Sequence, residues 1–128
     1  MIQLKRAYEP ADSADGARFL VERLWPRGIQ KAALAIDAWM KDIAPSTELR
    51  QWFHADPARW PAFRERYLAE LAANSAAAKP ILQAAHNGVV TLVYAAHNPE
   101  HNSAVVLKEF LERHLALKKP RGGLQAGC

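Results

Sequence analysis

The run Val89-Val90-Thr91-Leu92-Val93-Tyr94-Ala95 constrains the fold more than any other stretch of the chain. A strand with one wet face alternates apolar and polar residues, whereas this run is apolar at nearly every position, the pattern of a strand covered on both sides. Such strands belong to parallel sheets with helices packed on them. The flanks agree: Asn87-Gly88 stops a preceding helix, and Asn98-Pro99 reads as a cap followed by Pro at the first helical position. Strand, short loop and capped helix together make one half of a doubly wound α/β unit. The expectation is a single small α/β domain over residues 1–118, a mainly parallel sheet flanked by helices in a Rossmann-like or flavodoxin-like three-layer arrangement. Residues 119–128 are expected to form a flexible, basic, Gly-rich tail.

The other elements follow from similar patterns. Ile2 to Tyr8 is a first strand and Ala17 to about Trp25 a second, reached through a polar loop ending in Asp15-Gly16. Lys31 to Ala38 is Ala-rich and reads as a helical turn, while Ile36 to Ile43 reads as a brief strand before Pro45. Ser46 is placed as the N-cap of a short helix carrying Leu49, Arg50, Trp52 and Phe53. Asp56-Pro57 opens a longer helix in which Trp60, Phe63, Tyr67 and Leu71 recur every three or four residues. Ala76 to His86 forms a further helix, and Val106, Leu107, Phe110, Leu111 and His114 stripe a last one running to about Leu117.

Composition narrows the function classes. A chain of 128 residues, 50% hydrophobic, can bury a core without metals or disulfides. Its single cysteine, Cys128, provides no disulfide framework, no Cys-based metal cluster and no placed thiol nucleophile, which fits a reducing cytoplasm. No stretch approaches the roughly 20 apolar residues of a membrane span, and the first residues lack a signal-peptide core, so a soluble protein without a membrane partner is expected. The absence of a Walker loop, a G-x-G-x-x-G turn and a nucleophile elbow argues against an NTPase, a nicotinamide enzyme or a serine hydrolase, and no cofactor is expected. A net charge of +4 favours anionic partners. The densest basic cluster, Lys118-Lys119-Pro120-Arg121, reads as helix-end charge or as a nucleic-acid arm.

In parallel α/β sheets, ligands collect beyond the carboxyl ends of the strands, where helix N-termini present unpaired N–H groups. Two loops qualify, Trp25 to Lys31 and Ala96 to Ser103. Their convergence would place Arg23, Arg27, Lys31, His97, Asn98, His101 and Asn102 around one concavity, with Tyr94 at the end of the buried strand and Ser46 and Arg50 as a third contribution. Guanidinium forks suit carboxylate or phosphate; the other reading of Arg23 and Arg27 is a strand-end salt bridge. Trp25-Pro26 takes the backbone off the ladder and Gly28 admits a conformation that other residues resist. His97 and His101 are candidates for proton transfer as well as ordinary surface histidines. They stand four apart, but Pro99 between them disfavours a metal pair, and none is expected. For Tyr94, Ser46 and Arg50 the alternatives are a core tyrosine, a plain N-cap and a surface arginine.

The block Arg23-Leu24-Trp25-Pro26-Arg27-Gly28, together with Asp15-Gly16, Ala44-Pro45-Ser46, Leu49-Arg50, Trp52-Phe53 and Tyr67 with Glu70-Leu71, resembles the signature of the YeaO-like branch of domain-of-unknown-function family 488. The resemblance runs from about Lys5 to Leu115 and implies fold and site location rather than a chemistry. Other branches carry Cys-His-Arg near the start of the final helix, where this chain reads His101-Asn102-Ser103, so thiol-dependent chemistry does not carry over.

Three functions are compatible with these features. The first is binding of an anionic small molecule, a nucleotide or phosphate-bearing metabolite, at the strand-end cleft, with Arg23, Arg27 and Asn102 positioning the anion and His97 or His101 moving protons if there is catalysis. The second is a nucleic-acid or protein interaction module using the basic C-terminal face. The third is a catalytically inactive family member whose role is assembly.

Overall fold

The computed structural model describes residues 1–118, so the tail expected from residue 119 lies outside them. Among the described residues four strands, β1 (Ile2–Arg6), β2 (Ala17–Leu20), β3 (Ala38–Trp39) and β4 (Val90–Tyr94), form one sheet in the order β1-β4-β2-β3, and every neighbouring pair is parallel. The apolar run that predicts a doubly covered strand is the inner strand β4, buried at all five positions. The expected α/β class and parallel sheet are therefore found.

Strand order fixes which side each connection crosses. From β1 to β2 and on to β3 the chain moves one way across the sheet, then it returns from β3 to β4. Crossovers between parallel strands keep one hand, so the outward and return connections must lie on opposite faces. The return segment holds α2 (Thr47–Ala55), α3 (Trp60–Ala73) and α4 (Lys79–Asn87), and α5 (Ser103–Lys118) follows β4. These helices build the main core, in which Phe63, Tyr67, Ile81, Leu107 and Leu111 meet Ile2, Phe19, Val90 and Leu92 from the sheet. The opposite face is thinner: Ala7, Leu20 and Val93 pack on Leu34 of α1 (Lys31–Leu34), with Trp25, Ile29, Ile36 and Trp39 around them. Leu92 and Val93, adjacent in sequence, serve different cores, and truncating the fully buried Leu92 to Ala is expected to cost about 2–5 kcal/mol.

Two boundaries differ from expectation. Strand β2 stops at Leu20 rather than near Trp25. After a last bond from the Val21 N–H to the Val93 carbonyl at 3.1 Å, the indole of Trp39 takes the Glu22 carbonyl at 2.6 Å and the Trp25-Pro26 turn leads away through Gly28 at φ 80°. The ambiguous stretch after Lys31 holds both readings in sequence, one helical turn and then a two-residue strand. The caps at Ser46 and Asp56 stand: Ser46 Oγ accepts the Leu49 N–H at 3.2 Å, and Asp56 caps a 3-10 turn that leads into α3. The last helix starts at Ser103 and not at Pro99. Asn98 Oδ1 accepts the N–H groups of Glu100 and His101 and folds a separate turn, while Asn102 Oδ1 accepts Val105 N–H at 3.0 Å and is the true cap.

Under the thin face lies an ionic cluster that the β1–β2 connection brings together. Asp15 and Arg18, with side chains 6% and 5% exposed, pair at 2.6 Å, and Lys5 Nζ lies 3.1 Å from the same carboxylate. The remaining donors of Arg18 reach the Leu34 and Ala35 carbonyls, and Thr91 Oγ1 donates to the Asp15 carbonyl. Burial alone would raise the Asp15 pKa. The Asp12 N–H, Lys5 and Arg18 outweigh it and hold the carboxyl below its ordinary 3.8. Gly16 follows at φ 64°, where an added Cβ would stand 2.1 Å from the Val89 carbonyl oxygen; only glycine fits this approach.

Candidate functional site

At the carboxyl ends of β2 and β4 a cleft of about 430 Å³ opens beside the start of α5. Its apolar side is Pro45, Phe53 and Phe63; its polar side is Glu22, Arg50, His54, His97, His101 and Ser103. The cleft exists because β2 and β4 end side by side while the chain leaves them in different directions, β2 toward the Trp25-Pro26 turn and β4 toward the Asn98 turn.

Glu22 stands just past β2, and its Oε2 accepts the Ala95 N–H at 3.0 Å, which ties the two strand ends together. Burial pushes its carboxyl above the ordinary 4.5, against the opposing pull of the Ala95 N–H and the Arg50 guanidinium. Arg50 projects from α2, and its Nε is buried with no hydrogen-bond partner among the described residues. Orphaned buried donors are uncommon, and one that lines a cavity is a place for an acceptor.

The histidines are held by neighbours rather than left loose. Arg6 at the end of β1 donates to the Ala96 carbonyl at 2.9 Å and the Ala95 carbonyl at 3.4 Å, and its guanidinium lies 3.4 Å from His97 Nδ1. A guanidinium can only donate, so Nδ1 accepts and Nε2 carries the ring proton of His97. His101 stacks on Trp60, centroids 4.6 Å apart at 12°, and Trp60 continues through Phe63 to Phe53 in the apolar wall. At the helix start Asn102 caps Val105, which leaves the N–H groups of Ser103 and Ala104 without partners among the described residues. The site thus offers several donors and one carboxylate over an aromatic floor, a composition suited to an anion with an organic body. No group of three His, Cys, Asp or Glu that could hold a metal occurs among the described residues.

A family model described as "Inactive DUF488-N3 subclade" matches residues 1–127. The chain belongs to this DUF488 family. "Uncharacterized protein YeaO" of Escherichia coli (strain K12) is 50% identical over 110 residues, 86% of this chain and 96% of that protein. The mycobacterial relatives "Uncharacterized protein Rv3073c" of Mycobacterium tuberculosis (strain H37Rv) and "Uncharacterized protein Mb3100c" of Mycobacterium bovis are each 41% identical over 110 residues, 86% of this chain and 92% of theirs. No solved structure matches. The resemblance to the YeaO-like branch is thereby established as family membership.

In this DUF488 domain the sequence-derived site residues separate into three groups. Arg50, His97, Asn98, His101 and Asn102 meet in the cleft. Both ends of the Asn102 amide are engaged, with Oδ1 on Val105 and Nδ2 donating to the Asn98 carbonyl, so it shapes the loop. Arg23 and Ser46 line a separate cavity of about 200 Å³ with Tyr67 and Glu70. There Arg23 donates to the Pro45 and Ala44 carbonyls, which is neither an open anion site nor a salt bridge, and Ser46 binds Glu70 at 2.6 Å. Arg27, Lys31 and Tyr94 line neither cavity: Arg27 is exposed with its carbonyl accepting from Tyr8, Lys31 starts α1 on the far face, and Tyr94 packs in the main core. Arg23 and Arg27 therefore do not face one pocket. The same loop does deliver a group to the cleft, Glu22, which sequence reasoning passed over although it directly follows the buried run Phe19 to Val21.

Proposed function

We propose that this protein binds a small anionic molecule, a nucleotide or another phosphate-bearing metabolite, in the cleft between the ends of β2 and β4, and binds it without transforming it. The observation that carries the reading is the buried, unpartnered Nε of Arg50 lining that cleft. A charge-assisted bond from a guanidinium to phosphate or carboxylate satisfies such a donor and holds the anion. The free N–H groups at the start of α5 and the Nε2 of His97 add donors, and Phe53 and Phe63 give an organic body a surface to cover.

Binding without turnover is supported by the absence of a thiol at His101-Asn102-Ser103 and by the description of the matching family model as inactive. His97 and His101 then serve as ligands to the anion rather than as acid and base. No helix among the described residues is long and apolar enough to cross a membrane, and the proposed setting is the cytoplasm.

The test is a thermal-shift screen of the purified protein against nucleotides and phosphorylated metabolites, repeated on Arg50→Ala. A compound that raises the midpoint of the wild type and not of the variant supports the cleft as its site. Equal stabilisation of both moves the site elsewhere, and stabilisation by nucleic acid alone at low salt favours the interaction module.

A further inference from the structure

An anion drawn in by Arg50 and by the N–H groups of Ser103 and Ala104 meets a carboxylate in the same cleft, Glu22. Its Oε2 is committed to the Ala95 N–H, and its Oε1 has no hydrogen-bond partner among the described residues. An ionised carboxylate only accepts, so an occupant of the cleft can engage the free oxygen only by donating to it. Two oxyanions in contact repel unless a proton lies between them. Resting on the anion-binding reading above, we infer that Glu22 makes the cleft select oxyanions that still carry a proton, hydrogen phosphate and phosphate monoesters, over sulfate and phosphodiesters.

The discrimination is by hydrogen-bond inventory rather than by size. Sulfate and hydrogen phosphate are tetrahedral and close in volume, but sulfate has no proton near neutral pH. A phosphate monoester, whose second ionisation lies near pH ~6, keeps a protonated fraction that can donate an O–H···O⁻ bond to Glu22. A diester ionises fully and has no O–H left to donate, which also turns the cleft away from the backbone of nucleic acids. Sites that demand a donor reject analogues lacking it strongly, because the acceptor is left without a donor and beside a like charge.

Isothermal titration near neutral pH, with inorganic phosphate, sulfate, methyl phosphate and dimethyl phosphate as probes, tests this on the wild type and on Glu22→Gln. Phosphate and methyl phosphate are expected to bind about a hundredfold or more tighter than sulfate and dimethyl phosphate. In Glu22→Gln the amide still accepts from Ala95 and offers an N–H, so the ratio should fall to within about tenfold, mainly through a gain for sulfate. Equal affinity of the wild type for phosphate and sulfate would overturn the selection while leaving the anion cleft in place. Binding of none of the four by either protein would overturn the cleft reading itself. The wild-type ratio decides the matter even if the variant does not fold.

Discussion

Two sets of charges are withdrawn from water in this protein, and they are handled in opposite ways. Under the thin face of the sheet, Asp15 is met by Lys5, Arg18 and the Asp12 N–H, and Arg18 spends its other donors on backbone carbonyls. In the strand-end cleft, Arg50 Nε has no partner among the described residues, and Glu22 uses one oxygen on Ala95 and leaves the other open there. The first set is closed and positions the β1–β2 connection; the second is open and has room in front of it. Satisfied burial marks architecture, and unsatisfied burial beside a cavity marks a place where something binds.

If that contrast is right, the largest effect should come from opening the closed set. Asp15→Ala leaves two cations facing each other beneath the sheet and is expected to cost about 3–5 kcal/mol in denaturant unfolding. A cost below about 1 kcal/mol would mean the cluster is no more than a surface pair. Arg50→Ala should behave in reverse, with an unfolding free energy within about 1 kcal/mol of wild type. Affinity for the cleft ligand is expected to fall on the order of tenfold to a hundredfold, the worth of one charge-assisted bond. A destabilised Arg50→Ala would make Arg50 structural and erase the distinction.

Next in size is Tyr67→Phe. The hydroxyl of Tyr67 is buried and kept protonated by desolvation and by nearby Glu22 and Glu70, and it donates to the Ile43 carbonyl at 2.6 Å. Its loss should cost about 1–2 kcal/mol by leaving that carbonyl unpaired, with no change in ligand affinity. The smallest effect separates the two carboxylates by pH. Asp15 sits below its ordinary 3.8, so its contribution is present above that pH and is lost as the pH falls through the lowered value. Glu22 is raised above 4.5, so the folded chain holds that proton more tightly than the unfolded one, and its contribution is lost as the pH rises through the folded value. Glu22→Gln should therefore raise the thermal midpoint of the unliganded protein slightly at neutral pH and leave it unchanged below about pH 4.5. Stabilisation that persisted in acid would point to packing rather than charge.

Much of the frame is readable in the sequence, because it depends on local pattern. The unbroken apolar run of β4 requires two covered faces, Ser46 and Asp56 are caps by residue type and position, and Asn87-Gly88 ends a helix. Strand β3 is only two residues long and owes its place to the Asp37 and Met40 N–H bonds to β2, a long-range fact with no local signal. The cleft was legible as a location, since β4 and the final helix fix its address, and five of the expected side chains meet there. Membership is less legible for Arg23 and Arg27: the Arg23 guanidinium ends on the Pro45 carbonyl, and the turn at Trp25-Pro26 leaves Arg27 exposed, neither of which has a local signal. Glu22 escaped notice because a single acid at the end of an apolar run resembles ordinary punctuation until its burial is known.

All four strands point the same way, which gives the molecule two unlike poles. Five residues of β1, about 16 Å of chain, separate the two ends of the strand, and the α-amino end at Met1, 74% exposed, stands at the pole opposite the cleft. A tether joined to that terminus would therefore present the cleft outward: coupled to a sensor surface through Met1, the protein would turn its cleft-bearing pole, unobstructed, toward the solution.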